Sequence, residues 1–405
     1  MNSLTFKGKE ERLIGHLKGN QNGPTLVFFG GIHGNEPSGC KTIQEVFQKI
    51  QAEALILSGA IYGIRGNIPA QLQGKRFLDK DLNRMWTEDQ IKDILNKEAN
   101  ELGSEERQLS EIYELLIQIL SKESPPYYFV DFHTTSSKTL PFITINDALI
   151  NRRFSSLFPV PTILGMEEYL HGPLLSYINT MGYLSLGFES GQHKEEEAVL
   201  NSTAFLWLAL VFSGVLAKDA VNGFSNYYLQ LRNSAKSNRT FYEIIYRHSI
   251  TPKDGFTMFP GFNSFDKIAR NQVIAKEKQG EIRTPRSARI FMPLYQKQGE
   301  DGFFLIKKIP SLALKFSAFL RGIRLDSLLT ILPGITWKSK KEGILLVNVN
   351  TARFFTKPFF HLLGYRNRML DKERILMTNR ERTAKTLMYK NTPWSKKEPH
   401  LKHLG

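Results

Sequence analysis

The chain has 405 residues, 41% of them hydrophobic and 23% charged, with a formal net charge of +15 at pH 7. That length supports two or three domains and at least one large core, and the composition excludes a low-complexity or disordered chain. The single cysteine, Cys40, excludes a disulfide framework and fits a reducing compartment such as the cytoplasm, and the opening segment MNSLTFKGKEER has no apolar stretch of the signal-peptide kind.

In chain order, the first predicted element is the apolar run Thr25 to Gly31, which ends in two glycines and reads as a buried strand. Ile43, Val46, Phe47 and Ile50 then recur at helical spacing, so strand, turn and helix follow one another. A second strand is expected from Gly59 to Ile68. Ser104 is the expected cap of a helix whose face is Ile112, Leu115, Leu116 and Ile119. Tyr127 to His133 reads as a third strand, PFITIND as a fourth, and Tyr183 to Gly191 as a fifth. The longest apolar stretch, Ala204 to Leu216, is shorter than the roughly 20 residues of a membrane span and reads as a buried core helix. Alternating strands and helices imply an α/β layer structure with a parallel or mixed sheet.

After about residue 218 strand-like segments recur with turn signals, as in FYEIIYRHSI and ARIFMPLYQKQGEDGFFLIKKI. The expected organisation is therefore 1–217 as the α/β domain, 218–309 as a small all-β domain and 310–405 as a basic C-terminal extension. From Ser311 onward there are about 19 Lys or Arg against about 6 Asp or Glu, so roughly +13 of the charge lies there. The extension holds apolar pieces, EGILLVNVN and RFFTKPFFHLLGY, and is expected to fold partly against the body with a mobile last ten residues.

Ligands of open α/β sheets collect at the carboxyl ends of the strands. Here the first strand ends in GGIHGNE, giving His33 and Glu36. The third ends in DFHTTSS, giving His133, and the fifth in GFESG, giving Glu189. Two imidazoles and a carboxylate form the protein ligand set of a catalytic zinc with a fourth position left to water. The His-x-x-Glu spacing works only where the chain turns, since a straight strand sends positions i and i+3 to opposite faces. Taken alone, each of these residues has a plain structural reading: His33 and Glu36 a capped turn, His133 a satisfied core histidine. GFESG also has the outline of a Gly-x-Ser-x-Gly elbow with glutamate in place of serine, but the His-x-x-Glu element favours metal-assisted hydrolysis. Asp131 and the hydroxyls of Thr134 to Ser137 could orient His133, His193 is either a supporting group or an exposed turn residue, and Cys40 reads as a small buried side chain.

The segments GGIHGNE, KRFLDKDLNR, DFHTTSS and GFESGQH occur in this order over roughly residues 24–195. In this the chain resembles the succinylglutamate desuccinylase/aspartoacylase family of zinc enzymes, which is related in fold to zinc carboxypeptidases. The resemblance implies a carboxypeptidase-like mixed sheet flanked by helices, followed by the β domain and extension. It implies one zinc per chain held by His33, Glu36 and His133, with Glu189 as general base. It further implies Arg76 as the group that polarises the scissile carbonyl, and Asn83 with Arg84 as the pair that grips the substrate carboxylate. The implied activity is hydrolysis of an N-acyl amino acid or a similar small amide. A carboxypeptidase acting on short peptides, or a basic adaptor binding nucleic acid or another polyanion through the extension, are the alternatives. No arginine occurs between Arg153 and Arg232, where aspartoacylases place a second carboxylate-binding arginine; His171, Tyr169 and Asn179 lie there instead. N-acetylaspartate is therefore not the expected substrate.

Overall fold

The structure, a computed structural model, describes residues 12–348, 357–369 and 374–395. The opening segment and the last ten residues, for which expectations are given above, lie outside the described residues.

Eight strands build the α/β part and its junction: β1 (Leu13–Lys18), β2 (Gln21–Gly30), β3 (Ser58–Arg65), β4 (Tyr127–Thr135), β5 (Phe142–Ile145), β6 (Thr162–Leu164), β7 (Leu184–Gln192) and β8 (Phe241–Ser249). β2 lies between β3 and β4 and runs parallel to both, and β4 runs parallel to β7. The carboxyl ends of β2, β4 and β7 therefore come out together. β5 turns back antiparallel to β7, so the sheet is mixed.

The central strands bury both faces, and their period of two sorts the side chains. Leu26 and Phe28 of β2, with Tyr128, Val130 and Phe132 of β4, join one core; Val27, Phe29, Tyr127 and Phe129 join the other. The first core is covered by helices Ser38–Ala52, Glu196–Ser213 and Phe224–Ser234, the second by Ser104–Lys122. The apolar stretch from Ala204 forms the second half of Glu196–Ser213, with Ala204 to Leu210 all buried, and the helix stops at Gly214 in the left-handed region (φ 87°). Among the described residues no helix is long and apolar enough to cross a membrane. Ser104 is the first helical residue, not the cap: Gly103 precedes the helix, and its N–H donates to Glu106 (3.2 Å).

The strand-rich part begins at Phe241. Residues Phe224, Tyr228 and Leu231 recur at helical spacing and make 224–234 a helix packed on the first core. The remaining strands of this part are β9 (Thr257–Met258), β10 (Lys267–Ile268), β11 (Val273–Glu277), β12 (Gly280–Arg283), β13 (Ala288–Phe291) and β14 (Asp301–Lys308). β8, β14, β13 and β10 continue the main sheet through the β6–β8 pairing, giving one sheet of 11 strands. β12, β11 and β9 form a separate antiparallel sheet.

The C-terminal extension has its own four-stranded antiparallel sheet, β15 (Ile335–Ser339), β16 (Ile344–Asn348), β17 (Tyr365–Met369) and β18 (Arg374–Asn379), in the order β15-β16-β18-β17. Leu320, Ile335, Leu345, Phe360 and Tyr365 contribute to a separate core there. The chain then returns to the body. Tyr389, 1% exposed, enters the first core; its hydroxyl donates to Tyr127 O (2.6 Å) and accepts from Leu184 N–H (2.9 Å). Trp394 donates to the Tyr128 hydroxyl (3.0 Å). Tyr389→Ala should therefore cost about 3 kcal/mol of stability, the usual size for an aromatic truncation in a core; a urea or thermal midpoint equal to that of the parent would show that this docking contributes nothing.

Candidate active site

β2 ends at Gly30 and the chain turns before entering helix Ser38–Ala52. The turn is tight: a Cβ on Gly30 would lie 2.6 Å from Cys40 N, and Gly31 has φ +70°. Both positions thus require glycine. The turn brings His33 and Glu36, three apart, to one side, with Glu36 N–H donating to His33 O (3.1 Å).

The four sequence segments converge. His33 Nδ1 lies 2.9 Å from Glu36 Oε1, and His133 Nδ1 lies 3.0 Å from Glu36 Oε2. One ligand atom from each of the three residues lies within 4.8 Å of the others, and all three side chains are buried. The opposite ring nitrogens point away from this centre. His33 Nε2 is 3.1 Å from Asp81 Oδ1, and His133 Nε2 is 2.7 Å from Asp131 Oδ2. A carboxylate only accepts, so each Nε2 carries the proton it donates outward. Each Nδ1 faces a carboxylate oxygen as well, so a cation bound between the three groups would take the place of the Nδ1 proton and use that lone pair.

Charge follows from these contacts. Burial raises the Glu36 carboxyl pKa, but His33 and His133 outweigh it and hold the group well below the usual range. Burial lowers that of His133, but Asp131 and Glu36 overcome it and raise it well above the ordinary value. Asp81 is likewise held well down against its burial, chiefly by Arg76 and His33.

Glu189 behaves differently. It sits in β7 directly opposite His133 in the parallel register. Its Oε2 is buried and has no hydrogen-bond partner. Burial is the largest influence and pushes its carboxyl up to about 8, with His133 opposing and Glu36 reinforcing the rise.

Arg76 donates from Nε (3.2 Å) and Nη2 (3.0 Å) to Asp81 Oδ2, and its Nη1 lies 3.5 Å from Glu36 Oε1. Burial lowers its pKa, but Asp81 and Glu36 more than compensate and it is raised. Arg84 Nη2 donates to Asp301 Oδ2 (3.1 Å) at the start of β14. Asn83 Oδ1 accepts from Leu174 N–H (2.9 Å), which leaves the amide NH2 as its donor. His33, Glu36, Arg76, Asn83, Arg84, His133 and Glu189 all line one cleft.

Other residues take places that the sequence left unassigned. Asp81 lies inside KRFLDKDLNR, between two residues singled out there, and its acidity beside Arg76 was the only signal. Of the groups expected to orient His133, Asp131 does so; the Thr134 hydroxyl instead meets His193 Nδ1 (2.7 Å), while Thr134 N–H donates to Glu36 Oε2 (3.1 Å). His193 Nε2 faces Gln296 Oε1 (3.0 Å), so it supports the site. Gln298 accepts from Arg76 N–H (3.1 Å). Gln296 comes from 103 residues beyond His193 and Gln298 from 222 beyond Arg76, links no local pattern carries. Cys40 is half-buried, and burial pushes its thiol up to about 11, which keeps it protonated. Asn179 is bound to Asn151 and Ser185, and neither it nor His171 nor Tyr169 lines the cleft.

Residues 22–199 match the family profile described as the succinylglutamate desuccinylase/aspartoacylase catalytic domain. The succinylglutamate desuccinylase of Photorhabdus laumondii is 36% identical over 75 residues, 18% of this chain and 22% of that protein. That of Pseudomonas aeruginosa is 26% identical over 113 residues, 28% of this chain and 32% of that protein. The matched stretch thus spans a third or less of these curated relatives. In fold, a succinylglutamate desuccinylase/aspartoacylase from Rhodobacter sphaeroides aligns with a TM-score of 0.53 at 15% identity, over 73% of this chain and 88% of that one. The product-bound ectoine utilization protein EutE from Ruegeria pomeroyi aligns with a TM-score of 0.53 at 16% identity, over 72% and 87% of the two chains. With the four motifs placed around one cleft, residues 22–199 of this chain are similar to the succinylglutamate desuccinylase/aspartoacylase catalytic domain.

Proposed function

We propose that the protein is a zinc-dependent amidohydrolase that cleaves the amide of an N-acyl amino acid or a similar small compound bearing a carboxylate. The observation that carries this reading is the convergence of two Nδ1 atoms and the Glu36 carboxylate beside Glu189, whose buried Oε2 has no hydrogen-bond partner. The donor set fits a divalent cation, since two imidazoles and one carboxylate are the protein ligands of many catalytic zinc sites. Bound by His33, Glu36 and His133, zinc would lower the pKa of water toward 7 and withdraw electrons from the substrate carbonyl.

The remaining steps belong to side chains. Glu189 takes a proton from the attacking water and returns it to the departing amine; a carboxyl kept out of water and off its usual range suits both halves of that task. Arg76 is anchored by Asp81 through one edge, and its Nη1, 3.5 Å from Glu36 Oε1, faces the centre, where it can receive the negative charge that develops on the amide oxygen. Arg84 offers a planar fork to the substrate carboxylate, and the Asn83 NH2 adds a donor.

The full chain should bind one zinc, and His33→Ala, Glu36→Ala or His133→Ala should abolish that binding as read by metal analysis after dialysis. Glu189→Gln should keep the metal and lower kcat by about 10²–10⁴-fold; turnover at the parent's rate would falsify its role as base. Arg84→Ala should raise KM by about 10–100-fold for substrates with a free carboxylate, matching the loss of one charged hydrogen bond. The same variant should change KM little for the corresponding carboxamides, and an equal effect on both would remove the carboxylate grip.

A further inference from the structure

The cleft has two unlike ends. Glu189, Gly187 and Ser185 alternate along β7 and so share one face of the strand. At about 3.3 Å per residue, Ser185 lies roughly 13 Å from Glu189. Gly187 lets Thr144 and Leu175 pack directly against the strand: a Cβ there would lie 2.3 Å from Thr144 Oγ1 and 3.2 Å from Leu175 Cδ1. Beyond it the wall consists of Thr144, Asn146, Ser176 and Ser185, with Ile145 and Leu175 between them.

None of these side chains ionises. Asn146 Nδ2 donates to Ser176 Oγ (3.1 Å), and Ser176 Oγ lies 3.3 Å from Asn146 Oδ1, so the pair offers both donor and acceptor character. Among the described residues, the arginines that line the cleft are Arg76 and Arg84, which the proposed function already uses for the amide oxygen and the first carboxylate. A second carboxylate at the far end would meet no cation there and would lose its hydration uncompensated.

The wall is braced from behind by the C-terminal extension. Asp147, next to Asn146, is fully buried. Its carboxylate accepts from Arg152 Nε (2.6 Å), Arg321 Nη2 (2.9 Å) and Arg366 Nη2 (2.6 Å). Arg152 is local, but Arg321 and Arg366 come from the extension. Glu381, also from the extension, accepts from Leu149 N–H (2.7 Å). Thus the backbone that carries Asn146 is fixed by residues more than 170 positions away.

We propose that the far end of the cleft is the subsite that selects the substrate, that it takes an uncharged hydrogen-bonding group instead of a second carboxylate, and that the extension sets this subsite through Arg321 and Arg366 on Asp147. The inference rests on the amidohydrolase reading for the chemistry, but the subsite can be read without turnover. Arg321 and Arg366 are positioning residues, since they act through Asp147 and not on the substrate.

The test uses the zinc-loaded full chain and matched pairs of compounds. One pair places the difference in the amino acid, N-acetylglutamine against N-acetylglutamate. The other places it in the acyl group, a succinamoyl against a succinyl alanine. The uncharged member of each pair should have kcat/KM about tenfold or more higher, because an unpaired buried charge is costly to desolvate. The same order should hold for Kd by calorimetry on Glu189→Gln, so that a failed mechanism and a failed subsite give different results. Asn146→Lys should reverse the preference. Arg366→Met should raise KM for the uncharged substrate and shrink the difference between partners while leaving kcat within about threefold, and Arg366→Lys should restore much of it. Tighter binding of the dicarboxylate in either pair would overturn the subsite. An Arg366→Met protein with lowered thermal stability but an unchanged KM and ratio would overturn the role of the extension.

Discussion

A carboxylate enclosed by protein has to find partners, and Glu36 finds them on two strands at once. One oxygen meets the imidazole from its own turn; the other meets the imidazole at the end of β4 and the backbone N–H of Thr134. These bonds lock the β2 turn to the neighbouring strand, and they require β2 and β4 to be parallel and in register so that both end at the same level. Glu189 reaches the same level from β7 for the same reason. The arrangement of the cleft depends on this shared edge of the sheet.

Around that edge lies a ring of groups that hold the reacting side chains. Asp81 serves two of them, tying His33 through one oxygen and Arg76 through the other. A single aspartate thus sets both a ring orientation and a guanidinium orientation, so the KRFLDKDLNR loop and the GGIHGNE turn act as one unit; Gly34 N–H to Arg76 O (3.0 Å) ties their backbones as well. The strand-rich part contributes Gln296, Gln298 and Asp301 to the same ring. Asp301 holds Arg84 in place.

The basic extension shows where part of a large positive charge goes. Arg321 and Arg366 face inward to Asp147, and Arg382 pairs with Asp326. Burying Asp147 without cations would leave an isolated charge at a cost of several kcal/mol. With three arginines around it, the carboxyl is held well below its usual range despite burial. The cluster therefore serves as a rivet between the extension and the wall of the cleft.

Much of this protein is written locally. The apolar runs from Thr25, Tyr127 and Tyr183 placed β2, β4 and β7, because buried parallel strands need continuous hydrophobic residues. The His-x-x-Glu turn and the histidine and glutamate at the other strand ends were legible for the same reason: short-range backbone geometry fixes which residues leave a strand at its tip. The start of the long helix was misplaced by one residue, since a serine and a glycine both suit that position and only the backbone turn separates them. The helix at 224–234 was missed because its apolar spacing is short and lies beside stronger strand signals. What the chain could not show locally was partnership across distance: Asp81 with His33, Gln298 with Arg76, Asp301 with Arg84, Arg366 with Asp147. Such pairs have no period and no spacing. They arise only when the strand order of the sheet brings remote segments together and burial obliges each charge to find its opposite.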